Sequence, residues 1–210
     1  MNIQPASRNL IDSIPSSNTD ALLRERGFDL LYEYLQIINE ARFPPGRIIE
    51  LATGTGRTSA IFARQGFEVV TGDITLTKRG EALRRISPES AKQVSMMVLN
   101  MERLPFRDHS VPAVISLNTI HELKHPDQCL SEIVRIHDPA GVLVVGDFNK
   151  LGFEVMDEVH QIVFGKRHSR GRLPMESVKE KLTDLYESVV TIETPLNISV
   201  VCRTAVSAFS

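Results

Sequence analysis

The 210-residue chain has no tryptophan and only two cysteines, Cys129 and Cys202. Two thiols are too few for a disulfide framework or a cysteine-rich zinc site. Neither sign of charge dominates: 24 Lys and Arg stand against 26 Asp and Glu, a formal net charge of −2. That balance supplies no global electrostatic reason to hold nucleic acid, whose backbone demands clustered cations. No apolar run approaches the roughly 18 residues that cross a bilayer, so no membrane association is expected. The opening stretch MNIQPASRNLIDSIPSSNTD carries neither a basic start nor a continuous apolar segment, which argues against a secretory signal. What remains is a soluble, reduced, cytoplasmic protein. A 42% hydrophobic and 24% charged composition argues against a mostly disordered chain. A length near 200 suits one domain, or one domain with a small cap.

Residues 1–19 are rich in Ser, Asn and Pro and read as a loose arm with some capacity to dock. From Asp20, Leu23, Leu30, Leu31, Tyr34, Leu35 and Ile38 recur at helical spacing, which predicts a helical cap over 20–46 with its helix at Asp20–Ala41. Pro44-Pro45-Gly46 stops it. Short apolar runs then alternate with helical patterns. Strands are expected at 47–52, 68–72, 94–99, 113–117 and 142–145, and helices at 57–65, 76–86 and 127–137. Asp138-Pro139-Ala140-Gly141 reads as a turn. Two later helices, 153–164 and 175–186, precede runs at 188–194 and 198–204. So short a link, Pro195-Leu196-Asn197, makes the last two strands antiparallel. The pattern is α/β, a mostly parallel, doubly wound sheet with helices on both faces and a closing hairpin.

Ligands of such sheets collect at the carboxyl ends of the strands, beside the first βα turn. Here that turn is Glu50-Leu51-Ala52-Thr53-Gly54-Thr55-Gly56, whose glycines let backbone approach a ligand closely. Asp73 ends the second strand 19 residues after Gly54, where a carboxylate can accept from a ribose diol. Glu50 is out of place beside a pyrophosphate but suits a ligand carrying an amino group and a sulfonium. The dinucleotide fingerprint G-x-G-x-x-G also fails at its last position, Ser59.

This motif resembles the first motif of the class I S-adenosylmethionine-dependent methyltransferases. Further segments resemble that family in order: Gly72-Asp73-Ile74, then Asn100 to Phe106, Asp108 to Ser116, and Ser131 to Ile136 with Pro139-Ala140-Gly141. The similarity spans roughly residues 47–148, and its nearest branch is the type 11, quinone-biosynthesis-like group. It implies a Rossmann-like seven-stranded sheet with a reversed last strand, and S-adenosylmethionine as cofactor with S-adenosylhomocysteine as product. It also implies a methyltransferase domain at 47–210, with a cofactor half at 47–148, a substrate side at 149–187 and the hairpin at 188–204. Carried over residue by residue, the cofactor set is Glu50, Ala52, Thr53, Gly54, Gly56, Asp73, Ile74, Asn100, Met101, Glu102 and Asn118. Three positions depart from the pattern. Ala52 stands where many members have Gly, tolerable if its backbone angle is ordinary. Asn100 replaces a frequent Asp, and Pro112 a common Asp at a strand entry.

Methyl transfer needs alignment of nucleophile, methyl and sulfur, and a base only for a neutral O–H or N–H. His121, in LNTIHEL after the fourth strand, Asp147 after the fifth, and His160 on a late helix are the candidate catalytic residues. Capping or core packing is the competing role of each. Asn149, next to Asp147, carries the same two readings. The cationic run Lys166–Arg172 either meets an anionic substrate or is a solvated loop. His121 and His125 lie four apart, but Pro126 follows and no third ligand is evident, so no metal is expected. No Asn/Asp-Pro-Pro-aromatic signature follows the fourth strand, which favours a small-molecule acceptor over a nucleic-acid base. Monomer and homodimer fit equally. Two other classes share these features: a non-catalytic cofactor-binding module or partner subunit, and, more distantly, an NAD(P)-dependent oxidoreductase.

Overall fold

A computed structural model describes residues 5–205. Seven strands form one sheet in the order β3-β2-β1-β4-β5-β7-β6. They are β1 (Arg47–Leu51), β2 (Glu68–Asp73), β3 (Val94–Val98), β4 (Val111–Leu117), β5 (His137–Phe148), β6 (Tyr186–Glu193) and β7 (Asn197–Ala205). Pairs among β1 to β5 are parallel, while β7 runs antiparallel to both neighbours, so the reversed strand of the hairpin sits inside the edge. The doubly wound sheet and its antiparallel hairpin are therefore as the sequence leads one to expect.

Among the described residues eight α-helices cover the two faces: α1 (Pro5–Asp12), α2 (Asn18–Glu25), α3 (Leu30–Ala41), α4 (Arg57–Arg64), α5 (Arg79–Arg85), α6 (Pro126–Ile136), α7 (Lys150–Phe164) and α8 (Met175–Thr183). Strand alternation divides the core cleanly. Val142 and Val144 of β5 join a cluster with α1 to α4 and α7, while Leu143 and Val145 join another with α6 and α8. The central strands are buried on both faces, as parallel pairing favours, while β3 and β6 at the edges are partly exposed.

Three local expectations need correction. Within the arm, residues 5–12 are helical, and Ile11 and Ile14 are buried in the first cluster; the docking contacts outweigh the Ser and Asn content. The part of the arm at residues 1–4 lies outside the described residues. The cap is two helices rather than one. Gly27, at φ 85, ends α2, and Asp29 opens α3 by accepting from the Leu31 and Tyr32 amides at 3.0 and 3.2 Å. Asp138 to Gly141 is not a turn ahead of the strand but an irregularity within β5, between the pairs Val111–His137 and Ala113–Val142. A Cβ on Gly141 would collide with the Pro112 backbone, so glycine allows this close approach.

Candidate active site

One cavity of about 450 Å³ opens at the carboxyl ends of β1, β2 and β4. Its floor is made by the βα turn. Ala52 (φ 64), Gly54 (φ 49) and Gly56 (φ 78) are all left-handed there. Ala52 thus departs from the ordinary backbone angle on which tolerance of alanine rested, and its Cβ carries strain. Gly56 cannot be replaced cheaply: a Cβ would lie 2.8 Å from Ala82 of α5. Thr53 ties the turn to β2, its amide donating to the Gly72 carbonyl at 3.0 Å. Asp73 closes the floor. It accepts from the Gly54 amide at 3.2 Å and the Ile74 amide at 2.8 Å, leaving further lone pairs toward the cavity.

Glu50 is buried on this floor, where it accepts from Ser59 Oγ and from Thr71 Oγ1 at 2.6 Å. Burial pushes its carboxyl up to about 7, against these donors. Ser59, which breaks the dinucleotide fingerprint, is thus explained by the acid it serves. On the adenine-side loop, Asn100 Oδ1 accepts from the Glu102 amide at 2.9 Å, and Met101 is buried beneath. Ile74, by contrast, is 66% exposed at the rim.

The cap forms the roof, through Ser17, Thr19, Leu30 and Tyr34. Asn118 (φ 52) turns out of β4 and donates through Nδ2 to Tyr34 Oη at 2.8 Å. Its Oδ1 and Thr55 Oγ1 are buried without a partner. The cap is pinned by Asp20, which reaches Arg57 at 2.8 Å and Arg85 at 2.6 Å. Burial opposes ionisation of Asp20, yet the Arg57 and Arg85 guanidinia overcome it and hold its carboxyl well below the usual range.

At the far end the cavity meets side chains rather than backbone. His160 of α7 and His168, from the loop after it, line the cavity with Glu122, Phe148 and Phe164. The His160 and His168 ring centroids are 4.1 Å apart, and His168 lies 4.7 Å from His121. Burial lowers the pKa of both His160, to about 4, and His168, so both are neutral at pH 7. His121 and Asp147 are joined at 2.6 Å, Nδ1 to Oδ1, and the Asp147 carboxylate also accepts from the His121 and Phe148 amides. Both residues are buried behind the wall and do not line the cavity.

The family model described as "Methyltransferase domain" matches residues 49–145. Over 168 residues the chain is 26% identical to the ubiquinone/menaquinone biosynthesis C-methyltransferase UbiE of Shewanella pealeana, covering 77% of this chain and 64% of that protein. It is 31% identical to the demethylmenaquinone methyltransferase of Beutenbergia cavernae over 123 residues, 59% of this chain and 49% of the relative. A SAM-dependent methyltransferase from Aquifex aeolicus superposes with a TM-score of 0.59 at 18% identity, covering 89% and 98% of the two chains. Residues 49–145 thus match a methyltransferase domain, and the sheet shares the fold of solved methyltransferases. It spans between about half and two thirds of the length of these curated relatives.

The cavity fits S-adenosylmethionine, the cofactor that the sequence resemblance implies. Two unpartnered buried oxygens, a carboxylate with free lone pairs at a strand end and a buried acid beneath the turn supply acceptors for a ligand rich in donors and carrying positive charge. Of the cofactor set expected from sequence, Glu50, Ala52, Thr53, Gly54, Asp73, Ile74, Asn100, Met101, Glu102 and Asn118 line the cavity, while Gly56 shapes the turn from behind. Of the catalytic set, His160 lines it; His121 and Asp147 form a pair without reaching it. Asn149 caps α7 by accepting from the Gly152 amide at 2.8 Å. His125 is separated from His121 and pairs with Glu102 at 2.8 Å. The run Lys166–Arg172 is exposed apart from His168, with Arg170 paired to Asp157 at 2.8 Å.

Sequence reasoning missed Tyr34, Arg57 and the role of His168. Tyr34 shares the apolar periodicity of α3, and nothing marks it as a roof residue. Arg57 opens α4 directly after Gly56, a position beside the ligand that the motif itself could have flagged. His168 is hidden inside a cationic run, and only the fold brings it to His121.

Proposed function

We propose that this methyltransferase transfers the methyl group of S-adenosylmethionine to a small-molecule acceptor held at the histidine end of the cavity. The observation that carries this reading is the continuity of one cavity from Asp73 and Asn100 to His160 and His168. When bound, S-adenosylmethionine supplies an electrophilic methyl carbon for in-line displacement and leaves as a neutral thioether. The chain's part is to align the partners and exclude water. Asp73 is assigned to the ribose hydroxyls, Asn100 and Met101 to the base, and Glu50 with Asn118 to the methionine portion. Tyr34 and the cap close over them, held by Asp20. His160 faces the acceptor and takes its proton where the nucleophile is a neutral O–H or N–H. Asp147 orients His121 behind the same wall.

The quinone-related names of the relatives make an aromatic, phenol-like acceptor the first class to try. A nucleic-acid substrate finds no support in a net charge of −2. Among the described residues no helix is long and apolar enough to cross a membrane. Buried, free Cys129 and Cys202 suit the cytoplasm, where we place the reaction. A screen of phenols, amines, thiols and carboxylates with methyl-labelled S-adenosylmethionine tests the proposal. Label in one acceptor class is the expected result. Cofactor binding with no methylated product in any class would favour a non-catalytic module instead.

A further inference from the structure

We propose that His121, His168 and Glu122 bind a divalent first-row transition metal, with zinc as the reference ion, in the wall at the acceptor end of the cavity. One nitrogen of each imidazole and one Glu122 oxygen lie within 4.8 Å of one another. His121 Nε2 stands 3.9 Å from Glu122 Oε1.

The proton positions follow from the partners. His121 Nδ1 faces the Asp147 carboxylate, which accepts, so Nδ1 carries a proton and Nε2 is the nitrogen available to a metal. That Nε2 is buried, on a side chain only 2% exposed, and has no hydrogen-bond partner. His168 Nδ1 lies 3.0 Å from the Ser169 carbonyl oxygen, which also only accepts, so the second imidazole likewise leaves its Nε2 bare. Two imidazole lone pairs and a carboxylate are thus gathered with no donor among them. Of these, the buried His121 Nε2 is the costly one to leave unpaired.

Charge points the same way. Glu122 and Asp147 both face His121, and among the described residues neither forms an ion pair with a lysine or arginine. A carboxylate on the far nitrogen is also how metal-binding imidazoles are oriented and made more basic. Two nitrogens and one carboxylate, with no thiolate, suit zinc and its first-row neighbours rather than the all-oxygen preferences of magnesium and calcium. The site is held together by packing: a Cβ on Gly171 would collide with the His121 backbone, so the loop carrying His168 is pressed onto the turn carrying His121 and Glu122. Because Glu122 and His168 line the cavity while His121 closes it from behind, an ion held by the three would be reached from the acceptor end. In that role, which rests on the methyltransferase reading, the ion holds an anionic oxygen of the acceptor, such as a phenolate, enolate or carboxylate. The binding of metal does not rest on that reading.

The test uses the full chain, free of any affinity tag and stripped with chelator. Zinc is titrated by calorimetry and cobalt by its visible absorption. One equivalent of zinc is expected to bind at micromolar or tighter affinity, weakened about tenfold or more by H168A and by E122Q. The cobalt spectrum is expected to change in both variants. H125A, which removes the exposed histidine paired with Glu102, is expected to leave both signals intact. No saturable zinc binding, or binding that survives either H168A or E122Q unchanged, overturns the site. A thermal melt of each variant separates loss of ligand from loss of fold. S-adenosylhomocysteine titrated into the same samples reads the cofactor site separately. Failure of zinc alone removes this proposal, and failure of the nucleoside alone removes the methyltransferase reading.

Discussion

The two ends of the cavity are built by different means. At the cofactor end the ligand-facing groups are largely backbone, set by Ala52, Gly54 and Gly56 in left-handed conformations and by carboxylates at strand ends. At the acceptor end they are side chains from separate places in the chain, Glu122, His160 and His168, backed by the buried pair His121 and Asp147. A backbone-built site must recur as a compact motif, because only a few residue types reach those angles. A side-chain-built site requires only that the fold bring the groups together. On the proposed function, the first end suits many methyl acceptors and the second sets this chain's specificity.

Variants at the two ends should separate binding from turnover. For an acceptor that is a neutral O–H or N–H, the largest effect is expected for His160→Gln, which should lower turnover about 10²–10⁴-fold while leaving cofactor affinity unchanged. Single-turnover assays beside calorimetry check it, and a parallel loss of cofactor affinity would erase the distinction between the ends. Asp20→Asn breaks the buried link from the cap to Arg57 and Arg85 and is expected to cost about 3–5 kcal/mol in urea unfolding. Asp73→Ala removes the acceptor at the end of β2 and should weaken S-adenosylhomocysteine binding roughly 10- to 150-fold, from about 1.5–3 kcal/mol of charge-assisted hydrogen bonding.

Glu50 gives a pH signature of defined sign. Its carboxyl is raised from 4.5 to about 7 in the folded chain, so its contribution to stability falls as pH rises from about 4.5 to about 7. A cationic ligand favours the ionised form, so cofactor affinity should rise as pH increases through about 7 and then level off. Glu50→Gln should flatten both curves, read by thermal melts and by calorimetry across pH 5–9. The smallest effect is Ala52→Gly, which should stabilise the chain by roughly 0.5–1 kcal/mol in chemical denaturation, since alanine is strained at φ 64.

This contrast also explains what was legible in the sequence. The strand–turn–helix pattern and the closing hairpin follow from local periodicity, and the sheet matches them. Gly54, Asp73 and Asn118 were legible because each sits at a fixed place on a strand end. Residues 138–141 look like a turn from composition, but the pairing of β5 with β4 overrides it. The helical character of 5–12 was hidden by polar residues, since only the tertiary contacts of Ile11 and Ile14 reveal it. His168 was masked by its basic neighbours, and its closeness to His121 depends on Gly171, 50 positions away in the chain. Long-range convergence leaves no local pattern.

The central claim is that the glycine turn and Asp73 form a site for S-adenosylmethionine rather than for a dinucleotide. Titrating S-adenosylhomocysteine and NADH separately into the chain, and into Asp73→Ala, tests it directly. Saturable binding of one equivalent of S-adenosylhomocysteine, weakened by Asp73→Ala, with no heat from NADH, is the expected result. Saturable NADH binding without S-adenosylhomocysteine binding would contradict it.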